Sequence, residues 1–139
     1  MIDIDKLLTA EVVTPKSDPV PLIIGGELVE VIFYRAEGTA WAECTSRHPV
    51  RADVLIDMRY GYNFHGVCFE IAPKTGRLLD GDDEVELSPE KWGKILDAVS
   101  GNEVSAVANA IWALNEWDPA QLVKSLKKAR TATSKKKPS

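Results

Sequence analysis

Four side chains in this sequence are natural ligands for a soft or borderline metal: Cys44, His48, His65 and Cys68, which are all the cysteines and histidines it has. They fall in two close pairs, Cys44-x-x-x-His48 and His65-x-x-Cys68. On helices, each spacing puts both members of a pair on one face, and two such pairs make a four-ligand structural zinc site. The competing account is packing alone. Cysteine is often buried as a small apolar residue, and a chain of 139 residues folds without a metal staple. The reading adopted is no metal and no cofactor, with these four residues as the set that zinc would use.

Other chemistry has less to stand on. A Cys–His nucleophile pair lacks a surrounding motif. No Gly-x-Ser-x-Gly elbow is present, and Gly25-Gly26 is followed by no Gly-Lys-Ser/Thr that would cradle phosphate. The acids Asp80, Asp82, Asp83, Glu84 and Glu86 resemble part of a calcium loop but lack its closing glutamate. They read as a solvated turn. No catalytic residue set converges, so the expectation is a binding protein, not an enzyme.

The aromatic residues point to binding. Of four tryptophans, Trp92 and Trp112 fall in helical apolar stripes, and Trp117 precedes Asp118-Pro119 at a helix end. Large rigid aromatics at such junctions anchor partners. Trp92, Trp112 and Trp117 are therefore the candidate partner-binding residues.

The elements that must position these residues read as α+β. After a short helix within 2–10, Pro15, Pro19 and Pro21 forbid regular structure over 14–21. A β-hairpin is expected over 22–35, turning at Gly25-Gly26, with Val29, Val31 and Phe33 on the apolar face. Four to five helices follow over 39–129. Thr39 caps the first, which carries Trp41 and Cys44. Residues 50–62 give no clear pattern. Asn63 caps a helix with Phe64, Val67, Cys68 and Ile71 at helical spacing, ending near Pro73. Residues 73–87 read as loop, with a short strand at 85–87. Ser88-Pro89-Glu90 starts a helix with Trp92, Ile95, Leu96 and Val99 inward, stopped by Gly101. Asn102 caps the next, and Asp118-Pro119 opens a last helix with Leu122, Val123 and Leu126 inward. Residues 1–130 form one domain in this reading, and 131–139 a disordered basic tail.

Composition excludes further classes. The hydrophobic fraction of 45% and charged fraction of 27% are those of an ordinary globular protein. No apolar run approaches the roughly 18 residues that span a bilayer, and the acidic start Met1-Ile2-Asp3-Ile4-Asp5 is unlike a signal peptide. A cytoplasmic protein with free thiols and no membrane partner is expected. The net charge of −4 conceals an asymmetry: 10 basic and 21 acidic groups up to Asp118, then seven basic groups and no acid. A nucleic-acid partner is disfavoured, because the body is acidic and the basic residues are not interleaved with aromatics. A homo-oligomer through the hairpin's apolar edge fits the pattern better.

From about Trp41 to Ala129 the order of features carries a resemblance. It consists of His48-Pro49, Gly61-Tyr62-Asn63, Ser88-Pro89-Glu90-Lys91-Trp92, Leu96, Ser100, Ala110-Ile111-Trp112-Ala113-Leu114-Asn115 and Asp118-Pro119. This resembles the tail assembly chaperones of long-tailed phages of actinobacteria, which are similar in role to the G protein of lambda-like phages. The resemblance implies a protein of the host cytoplasm, absent from the finished virion, that coats the aggregation-prone tape measure protein. It also implies a minor longer form, made by ribosomal frameshift, whose extra domain recruits tail tube protein. Lys135-Lys136-Lys137 suits this, since lysine codons are adenine-rich and a slippery run can encode them. The alternatives are a virion structural protein of the head–tail or tail-terminator type, and a small zinc-binding regulatory protein.

Overall fold

The computed structural model describes residues 1–135. It is an α+β fold in which helices pack on an antiparallel sheet of four strands in the order β1-β2-β3-β4. The expected hairpin is there, as β1 (Val20–Ile24) and β2 (Glu27–Phe33). Its turn is Gly25-Gly26, with φ of 59° and 80°. Two consecutive residues at positive φ match the right-handed twist of the strands, and glycine reaches that region without a Cβ clash. Val31 and Phe33 are buried as expected. Pro21, expected to forbid a strand, lies within β1. β1 is the sheet's edge, where alternate amides have no partner strand to bond, so the missing N–H is tolerated.

The hairpin is only half of the sheet. Residues 76–85, expected as loop, form β3 (Gly76–Asp80) and β4 (Asp83–Val85), joined at Gly81 with φ 59°. Asp80 to Asp83 is the turn the sequence suggested, but the flanking segments pair because β2 offers β3 a free edge. Gly76 is required where β3 begins. A Cβ there would lie 2.5 Å from the Trp92 ring and 2.6 Å from the Ala72 carbonyl oxygen.

Among the described residues there are seven α-helices, six of them after the hairpin, where four to five were expected. They are α1 (Ile4–Leu8), α2 (Gly38–Arg47), α3 (Leu55–Tyr60), α4 (Phe64–Thr75), α5 (Pro89–Ala98), α6 (Gly101–Trp112) and α7 (Asp118–Lys135). The extra one is α3, in the stretch that gave no clear pattern. Its carboxylate Asp57 is fully buried and accepts from Arg51 N, Nε and Nη2 at 3.0, 2.8 and 3.0 Å and from Phe64 N at 3.2 Å.

Several helix ends differ from expectation. α2 starts at Gly38 with Glu37 as its cap residue, not Thr39. α4 has the expected Asn63 cap, whose side chain accepts from Gly66 N. It runs through Pro73 to Thr75, because buried Ile71, Ala72 and Thr75 hold its last turn on the core. Ser88 caps α5 as expected. α6 is capped by Ser100, not Asn102: Ser100 and Glu103 form a reciprocal capping box. Glu103 also accepts from Ile23 N at 2.6 Å, which ties the start of α6 to β1. α4 is the central helix, packing on α2, α3, α5, α6 and β3. Phe33, Val67, Ile71, Trp92, Val107 and Ile111 fill the space around it.

Candidate functional site

α6 does not stop before α7. Trp112 and Asp118 both have helical dihedrals, and Ala113–Trp117 between them is a π-helical turn. Asp118 is therefore not the non-helical cap that the Asp-Pro pair suggested. In a wider turn the amide of Asp118 reaches back to the Ala113 carbonyl. That displaces the Asn115 carbonyl, which the Pro119 ring would otherwise meet in a regular helix. Such turns concentrate at functional sites.

This turn is clamped to the body by polar bonds. The Leu114 carbonyl accepts from Arg35 Nε at 3.0 Å, and Asn115 Oδ1 accepts from Ala36 N at 2.9 Å. Glu116 Oε2 accepts from both Trp41 Nε1, at 3.0 Å, and the Tyr62 hydroxyl, at 2.6 Å. Burial, and next the bond to Glu116, hold the Tyr62 phenol well above its ordinary pKa, so it stays a donor. The junction is thus fixed to the β2–α2 connection and to the start of α4.

From that fixed point aromatics lead outward. Phe64 is buried and stacks on Tyr60, centroids 4.3 Å apart. Tyr60 meets Trp112 edge-on at 5.0 Å, and Trp112 lies 5.8 Å from Trp117. Trp117 is 51% exposed. Beyond it, every residue of α7 from Leu122 to Thr133 is exposed. Leu122, Val123 and Leu126, expected to face inward, lie 54%, 50% and 61% open to solvent. Their spacing is that of a buried helical stripe, but among the described residues nothing buries it. Lys124, Lys127, Lys128 and Arg130 are exposed along the same helix. The helix extends to Lys135, into the stretch expected as a tail, and 136–139 lie outside the described residues.

The three candidate tryptophans separate. Trp117 is exposed and Trp112 half-buried, but Trp92 is fully buried against Phe33, centroids 5.6 Å apart. It serves only as the floor of an apolar groove of about 480 Å³ between α4 and α5, with Phe69, Pro73, Pro89 and Leu96 in its walls.

The four soft ligands separate too. Cys44 and His48 come together, but their third neighbour is Glu70 on α4, the three ligand atoms lying within 4.8 Å of one another. Cys68 turns into the core and donates to the Ala108 carbonyl at 3.4 Å. His65 sits between the Phe64 and Phe69 rings. Both thiols are protonated: burial pushes Cys68 well up, and burial with the Glu70 contact pushes Cys44 to about 12. Neither is an activated nucleophile as it stands. Glu70 was missed because its partners are 22 and 26 positions away in sequence, and no local spacing marks it.

Among the described residues no helix is long and apolar enough to cross a membrane. Comparison of the chain with known protein families, characterised proteins and solved structures finds no match.

Proposed function

We propose that this chain is a tail assembly chaperone of a long-tailed phage, which binds the tape measure protein and keeps it soluble in the host cytoplasm until the tail is built. The observation that carries the reading is α7. It is an amphipathic helix anchored at a clamped junction, with Leu122, Val123 and Leu126 uncovered along it and Trp117 exposed just before it. A tape measure protein is a long helix with apolar stripes, and two such stripes associate by helix-to-helix packing. The groove between α4 and α5 offers a second apolar surface to the same kind of partner. The basic side chains of α7 select for an acidic flank on that partner. In the longer frameshifted form, α7 would set the added domain apart from the body and present it to tail tube protein. No cofactor is needed for either role.

The test is co-expression with the tape measure protein. The unaltered chain should hold it in the soluble fraction. The double substitution Leu122→Asp and Leu126→Asp should leave the domain folded and send the tape measure protein to the pellet. Trp117→Ala should act in the same direction more weakly. Undiminished solubilisation by the double variant would overturn the role given to α7.

A further inference from the structure

The contact between α2 and α4 holds a constellation separate from α7. Cys44 and His48 come from the last turn of α2 and the residue after it, and Glu70 from the middle of α4. His48 Nε2 lies 3.2 Å from Glu70 Oε1. The ring is held there by close packing, since a Cβ on Gly66 would come within 2.8 Å of His48 Nδ1. Glu70 is held from its other side. Arg47 spans its carboxylate, with Nε 3.3 Å from Oε1 and Nη2 paired to Oε2, and Lys74 Nζ lies 3.7 Å from Oε2. The Cys44 thiol faces this pair from the core and donates to the Val67 carbonyl at 3.7 Å.

We propose that Cys44, His48 and Glu70 form a binding site for a single zinc ion, with water in the fourth position. One thiolate, one imidazole and one carboxylate suit zinc and disfavour calcium or magnesium, which take oxygen ligands. Ligands at zinc's bond lengths stand about 3.5 Å apart in a tetrahedron, so separations within 4.8 Å need a contraction of about an ångström. Oε1 and Nε2 already face each other, and Arg47 acts as the outer partner that orients the carboxylate. The cation has an entry path, because His48 and Glu70 are each about a quarter exposed. Binding forms a zinc–sulfur bond and sends the Cys44 thiol proton to solvent, so affinity rises with pH. The ion would staple α2 to α4 and thereby steady Trp41 under the Glu116 clamp.

The experiment is a titration of the metal-stripped full chain with cobalt(II), followed by displacement with zinc. One cobalt per chain, a thiolate-to-cobalt charge-transfer band and a melting temperature raised by roughly 5–10 °C at a hundredfold excess over Kd are expected. Cys44→Ser should abolish the band. His48→Ala and Glu70→Gln should weaken binding at least about tenfold, and His65→Ala should not. If Cys44→Ser fails to fold, His48→Ala, at a position about a quarter exposed, decides. Absence of the band in the unaltered chain, or equal loss in His65→Ala and His48→Ala, overturns the site. Neither result bears on α7 or on tape measure binding.

Discussion

Asp57 is the one fully buried charged residue among those described, and it shows how a short polar side chain organises an irregular stretch. The Arg51 side chain, first, and then the backbone amides of Arg51 and Phe64 hold its carboxyl far below the ordinary aspartate range. A carboxylate depressed on folding stabilises the folded state above its unfolded pKa of about 4, and that contribution is lost as pH falls through the folded value. Asp57→Asn should therefore cost about 1–3 kcal/mol near neutral pH, because Arg51 loses a charged acceptor and one amide goes unpaired. The gap between the variant and the unaltered chain should narrow under acid. Denaturant titrations at both pH values check this, and a gap that widens in acid refutes it.

At the scale of elements, the π-helical turn is the unusual piece. It exists because its residues bond to groups far away in sequence: Glu116 to Trp41 and Tyr62, Asn115 to Ala36, and Leu114 to Arg35. Glu116→Ala leaves an indole N–H and a phenol O–H without their acceptor, and should cost about 2–3 kcal/mol. Glu116→Gln keeps one acceptor oxygen and should cost less. Equal stability of the two variants in denaturant would mean the clamp is not held by this carboxylate. The turn also sets the course of α7, since the helix direction is fixed where the junction is clamped. In the proposed function, that course leaves its stripe open to a partner.

Across the whole molecule, the acidic body and basic end are the main electrostatic feature. Seven basic groups and no acid after Asp118 favour an acidic partner. The end of the chain also bears on expression. The native gene with its downstream region, expressed with an N-terminal tag, should give a minor longer product whose frame shifts within the codons for Lys135 to Lys137. A single product of the 139-residue size would remove that support and favour the virion structural alternative.

Sequence alone determined the features that depend on near neighbours. The Gly25-Gly26 turn, the Asn63 and Ser88 caps and the buried face of α4 rest on backbone sterics and helical periodicity, which act within a few residues. Periodicity also marked Leu122, Val123 and Leu126 as a stripe, but it does not say whether anything covers them. Tertiary structure decided that, because burial depends on which distant elements arrive. It likewise made strands of residues 76–85, by offering the free edge of β2, and replaced His65 and Cys68 with Glu70 beside Cys44 and His48. The new strands and the Glu70 neighbourhood rest on contacts between segments far apart in the chain, and the packing of whole elements settles such contacts.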